Sequence, residues 1–311
     1  MKKKTYVLLG ILAAGFMLFV FAGCTPAGSS IYNEENATAF ATLDPDFTDL
    51  PATPESVEYR YDKEDETKTA TVEGYKLSDI ITADEVETKI IETPEGDDLR
   101  PIFSYDFVGS DGFSKGPVSW ENVNNYGYYL YDDSDAEGKF TYPEADAPEE
   151  PRIAYDVGFD TVSKGYYITL PQTVKLFRSV SVTIGSGTPT LAHIGGFDTE
   201  EVTWSYEKGG ETTESTDNAV PLSTIIQYFE ETGALTDAEN KTYQLRCFDY
   251  DSTNEYTYED VTYAELSNAY FIFKVDAEGH ISDDKVVILD ENNQANDGQK
   301  RPKYVTDIVI E

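Results

Sequence analysis

The chain has 311 residues, 59 of them acidic and 23 basic, for a formal charge of −36. That charge disfavours nucleic acid and anionic lipid surfaces as partners and suits cations, or solubility outside the cell. With 40% hydrophobic residues and 23 tyrosines, the composition is that of a folded, strand-rich chain rather than a disordered one.

The first 24 residues read as an address. Lys2, Lys3 and Lys4 form a basic start, and Tyr6 to Val20 is apolar but only about 15 residues long, short for a membrane span. Phe21-Ala22-Gly23-Cys24 then reads as a lipobox. Small residues admit a peptidase, and the Cys24 thiol accepts a diacylglycerol that anchors the mature chain to a bacterial membrane on its extracytoplasmic side. Cleavage of 1–23 removes those three lysines and moves the formal charge from −36 to −39. Once Cys24 is acylated, Cys247 is the remaining cysteine, so no intramolecular disulfide can form. Residues 24–55 are small, polar and punctuated by Pro26, Pro45, Pro51 and Pro54, the pattern of a lipid-anchored linker.

Residues 57–81 and 202–226 are one segment written twice. Aligned without a gap, 10 of the 25 positions are identical. A self-match at a domain-sized spacing indicates two like domains, 56–186 and 187–311. In the first, Val57 to Tyr61 alternates as a strand, Asp62 to Lys68 is a charged hairpin-like stretch, and Gly74 to Ile81 starts a short helix. Pro101 to Val108 is a strand ending at the turn Gly109-Ser110-Asp111-Gly112. Tyr126 to Tyr131, Tyr166 to Leu170 and Val174 to Ile184 follow as strands. In the second, Val202 to Tyr206 is a strand and Val220 to Glu231 an amphipathic helix. Gln244 to Tyr250, Ala269 to Val275 and Tyr304 to Ile310 complete it as strands. Val180 to Ile184 and Thr306 to Ile310 occupy the same final place in the two copies. The fold class is α+β, mostly β.

Gly74 to Ile81, Ser110-Asp111-Gly112-Phe113, Pro117-Val118-Ser119-Trp120-Glu121 and Val174 to Val180 occur in the order of the sulfite-oxidase-type molybdopterin-binding domain, which this chain resembles. The resemblance covers most of 56–186 and, through the helix from Val220 and the closing Lys303-Tyr304-Val305, extends over 200–311. It implies tandem sulfite-oxidase-like domains after the signal peptide and tether, with a molybdopterin held by a cysteine thiolate just ahead of the Gly-x-x-Leu helix. Here Val57 to Asp62 and Val202 to Glu207 contain no cysteine. Cys247 is the one candidate cofactor ligand, and its alternating context reads as a buried strand residue. His193 lies in the link between the copies and reads as structural. His280 follows a turn.

Asp133, Asp135, Glu137 and Glu144 fall on acidic positions of a calcium loop, with Gly138 at the turn. The Asp-Ala-Glu-Gly run recurs at Asp276 to Gly279 without the other ligands, which reads as a hairpin turn. The expected function is a surface-anchored, non-catalytic binding or scaffold module for a protein or small-molecule ligand. A divergent molybdopterin oxidoreductase and a calcium-stabilised adhesin are the alternatives.

Overall fold

The computed structural model describes residues 31–33, 37–47, 50, 53–63, 66–91, 98–130, 151–156, 158–159, 168–248, 255–295 and 301–311. It is mostly β, with several sheets and short helices. The first half contains β1 (Ala41–Leu43), β2 (Glu55–Lys63), β3 (Glu66–Lys76), α1 (Leu77–Ile80), α2 (Ala83–Glu87), β4 (Phe103–Gly109), β5 (Val118–Ser119), α3 (Trp120–Tyr126), β6 (Gly127–Leu130), β7 (Arg152–Tyr155), β8 (Ile168–Thr169) and β9 (Pro171–Ile184). The second contains β10 (Thr190–His193), β11 (Glu200–Lys208), β12 (Glu211–Pro221), α4 (Leu222–Glu231), β13 (Thr242–Phe248), β14 (Glu255–Thr262), α5 (Tyr263–Leu266), β15 (Ala269–Val275), β16 (Ile281–Ile288) and β17 (Val305–Ile310).

The duplicated segments fold as equivalent hairpins. Val57 faces Val72 across β2 and β3, and Val202 faces Asp217 across β11 and β12, so one offset of 145 residues relates both ladders. In β11, Val202 and Trp204 are buried while Glu201 and Thr203 are exposed, as period-two alternation requires. Gly209 and Gly210 link that hairpin with φ of 64° and 85°, the left-handed pair of a tight two-residue turn. Each hairpin then adds two antiparallel strands on the same side, and the first sheet gains β8 besides, giving β2-β3-β6-β7-β8 and β11-β12-β15-β16.

A third sheet, β14-β13-β17-β9-β4-β5, runs across both halves. The fourteen-residue β9 changes partners along its length. Residues 171–178 pair with β4, whereas Ser181 to Ile184 run parallel to Asp307 to Ile310 of β17. The two closing segments that look alike in sequence are thus side by side, in the register their alignment suggests. The stretch that closes against β4 is the one before it. Tertiary pairing decides this, because both halves of β9 are apolar enough to be central.

Two further expectations shift. Gly74 to Lys76 belong to β3 rather than to a helix, which starts at Leu77. Pairing with β6 claims them, and a Cβ on Gly74 would lie 2.8 Å from Leu130 Cδ2. Likewise Val220 and Pro221 end β12, and α4 begins at Leu222. Pro221 suits that junction because its missing N–H is not needed there. Part of the expected linker is also woven into the fold. β1 pairs with β9, Tyr32 is buried against Phe197 and Tyr228, and Phe40 packs on Phe103 and Phe273. Burial of these apolar side chains outweighs the coil tendency of their polar neighbours.

Candidate functional site

A cleft of about 320 Å³ opens where four parts of the chain meet. Ala37, Thr38 and Phe40 of the N-terminal segment form one wall. Phe177 and Arg178 of β9 form the floor, and Phe273 and Val275 at the end of β15 line the cleft beside Phe40. His193, the last residue of β10, and Gly195 complete it. The Phe40 ring lies edge-on to Phe273 at 5.7 Å, so the N-terminal segment packs directly on β15. Val275 remains 38% exposed at the lip, one of few large apolar side chains left in that state among the described residues.

Polar groups of the floor are organised behind the aromatic surface. β10 pairs His193 with Ser179 of β9, which places the ring beside two buried serines. Ser179 Oγ lies 2.7 Å from both His193 Nδ1 and Ser104 Oγ. The three groups form one short hydrogen-bonded chain, in which the tautomer of the ring sets which hydroxyl donates. Nδ1 carries all the hydrogen bonds His193 makes among the described residues, and the ring lines the cleft. Burial pushes the imidazole down to about pKa 4, and the ring is neutral near pH 7.

Arg178 lines the same floor but has nothing left to donate. Its Nε and one Nη2 proton go to Asp284, at 2.5 and 3.1 Å. The other three go to the carbonyls of Ile102, Ser179 and Val305. The guanidinium also lies 4.8 Å from the Phe271 ring centre. Burial pushes the Asp284 carboxyl up, and the charge and hydrogen bonds of Arg178 hold it back. The pair therefore ties β9, β16, β17 and the turn that leads into β4 together, and its charge is spent inside the protein.

The residues expected to form sites do not gather here. Cys24 and the acidic set Asp133, Asp135, Glu137 and Glu144 lie outside the described residues. Cys247 is 1% exposed in β13, within the core formed with Leu245, Val261 and Val305, and is not among the residues lining the cleft. The Asp276 to Gly279 run is a hairpin turn, in which the Asp276 carboxylate accepts from the Glu278 and His280 amides. Among the described residues, no three His, Cys, Asp or Glu side chains are grouped to hold a metal ion. No helix there is long and apolar enough to cross a membrane.

The cleft itself was not legible as a site. In the sequence, His193 reads as part of a link and Phe40 as part of a tether. The one available signal was the apolar alternation of Phe40-Ala41-Thr42-Leu43 inside an otherwise polar stretch. Compared against known protein families, curated proteins and solved structures, the chain matches none of them.

Proposed function

We propose that this chain is an extracytoplasmic lipoprotein, anchored to a bacterial membrane through lipidated Cys24, that acts as a non-catalytic module binding a small molecule in the cleft. It carries two tandem sulfite-oxidase-like domains on this reading, supported by the shared hairpin register and the shared order of neighbouring strands. The observation that carries the binding role is the cleft, lined by three phenylalanine rings and a His193 ring that is 6% exposed. An apolar pocket with few convergent polar groups is the form that ligand sites take.

Its groups suit binding better than turnover. The Ser179 hydroxyl lies on the core side of His193 and is 3% exposed, out of reach of a ligand in the cleft. A ring with a pKa of about 4 is a weak base at neutral pH. A thiolate-held molybdopterin would need Cys247, which is packed in the core, so the described residues do not fit that group.

Elemental analysis of protein purified from its native membranes tests the reading. The expected result is no stoichiometric molybdenum and no pterin fluorescence after denaturation. One molybdenum per chain with released pterin would overturn it.

A further inference from the structure

The hairpin of β11 and β12 reaches beyond its sheet. The two strands pair over their whole length, from Glu200 with Ala219 to Lys208 with Glu211, but β12 pairs with β15 only through Ala219 to Pro221. Among the described residues, the backbone of Glu211 to Asn218 is therefore paired on one side alone. In an antiparallel pair, alternate residues turn their N–H and C=O away from the partner strand. Ser205 of β11 fixes which ones. On the outer side its N–H donates to Asn293 O and its carbonyl accepts from Ala295 N. Ser205 faces Glu214, so Glu214, with Thr212 and Thr216 on either side, turns its N–H and C=O to the opposite edge. Segment 293–295 covers the edge of β11 at Ser205, whereas no backbone of the described residues pairs with this edge of β12.

The first copy has the same open strand. β3 pairs with β2 from Gly74 to Glu66 but with β6 only at Gly74 to Lys76. The two edges differ in charge, since β3 has Lys68 and Thr69 where β12 has Thr213 and Glu214. Glu211 and Glu214 are both exposed, and neither is ion-paired among the described residues. Residues 211–218 contain no proline and their ladder has no bulge, the usual devices that blunt an edge. Thr212, Thr213 and Thr216 are good strand formers.

We propose that the open edge of β12 is a strand-addition site for an extended, basic segment of a partner protein. The incoming strand pairs with the outward N–H and C=O of Thr212, Glu214 and Thr216, and its lysines or arginines lie against Glu211 and Glu214. A second copy of this chain fits badly. In the antiparallel register that overlaps 211–217 fully, Glu214 would face Glu214 and Glu211 would face Asp217. Like charges directly opposite one another destabilise a strand pair. The formal charge of −36 also draws a basic partner. The site is separate from the cleft and does not depend on it.

Three peptides of about seven residues, long enough to span 211–217 as a strand, test this against the full-length protein in detergent. One alternates lysine with valine or threonine. The second has glutamate in place of lysine. The third is the lysine peptide N-methylated at two neighbouring central amides, so that neither of its edges can pair. Calorimetry gives the affinities, and amide hydrogen exchange gives the residues covered. The lysine peptide is expected to bind at least about tenfold more tightly than either control, the worth of one or two hydrogen bonds. It should protect the amides of Thr212, Glu214 and Thr216 and leave Thr213 and Ser215, already bonded to β11, little changed. Thr216→Pro removes an outward N–H and no ladder bond, so it should fold and lose about tenfold or more in affinity. If that variant does not fold, the protection pattern in the unaltered protein decides the matter.

Equal binding of the N-methylated peptide would mean that charge alone attracts the peptide, and overturns strand addition. Equal or tighter binding of the glutamate peptide overturns the basic partner. No binding by any of the three, or protection outside 211–218, overturns the site. Dimers that protect these amides without peptide would give the edge to a second copy instead. Each of these results leaves the reading of the cleft untouched.

Discussion

His193 Nδ1 lies 2.7 Å from Ser179 Oγ on the adjacent strand, and Ser179 in turn lies 2.7 Å from Ser104 on a third. Burial keeps the ring neutral near pH 7 and ties its charge to pH. The folded-state pKa, about 4, is below the ordinary 6.5. The unfolded chain therefore takes up a proton in that window that the folded chain refuses. The contribution is fully present above pH 6.5 and is lost as pH falls toward 4. It amounts to on the order of 3 kcal/mol. Urea unfolding of wild type and His193→Gln at pH 4 to 7 should show the difference between the two curves changing through this window. Parallel curves would sink the assignment.

Arg178 and Asp284 form a buried pair, with side chains 1% and 0% exposed. Asp284→Asn leaves the guanidinium charge buried without its counterion. Loss of one partner in such a pair costs about 3–5 kcal/mol. A denaturant midpoint showing a cost below about 1 kcal/mol would mean that the pair does not organise the segments it joins.

Gly196 is held by a ring. A Cβ there would lie 2.4 Å from Tyr32 Cε2, and Tyr32 is itself packed on Phe197 and Tyr228 at 4.6 and 4.8 Å. Gly196→Ala should cost about 1–3 kcal/mol as overpacking and push Tyr32 out. Limited proteolysis should then cut N-terminal to Phe40 faster than in wild type, with the rest of the chain protected. An unchanged digestion pattern would argue that the N-terminal segment is not secured at Tyr32.

Cys247 is a core residue on this account. Cys247→Ala should lower stability by about 1 kcal/mol and leave the metal content of the purified protein unchanged. If metal is present in wild type and vanishes in the variant, the thiol is a ligand and the oxidoreductase alternative gains the ground.

Calcium is expected to add nothing to stability. A ligand that binds only the folded state raises the melting temperature by mass action, with the logarithm of its concentration above Kd. Thermal melts with and without chelator should coincide. A drop of several degrees on chelation would favour the acidic loop that contains Asp133, Asp135, Glu137 and Glu144.

The strands with apolar alternation were readable in the sequence, such as Ala269 to Val275 and Val202 to Tyr206. Their return partners were not. β12 reads Glu-Thr-Thr-Glu-Ser-Thr-Asp-Asn, with most side chains exposed on both faces. It is held by its ladder and by cross-strand contacts such as Thr203 to Thr216 at 2.9 Å rather than by a buried face. β16 was hidden for the opposite reason. Asp283 and Asp284 are poor strand formers, and Asp284 turns inward to a partner 106 residues away. The cleft was illegible because each wall comes from a different part of the chain. Phe40, Phe177, His193 and Phe273 share no spacing, and only the packing of β1, β9, β10 and β15 brings them together.

Native mass spectrometry of the lipidated protein, taken from its own membranes, tests the binding role most directly. Wild type should carry a small organic molecule that is released on collisional activation, and Val275→Trp, which fills the cleft mouth, should carry none. The same molecule on both proteins, or none on either, would contradict the account.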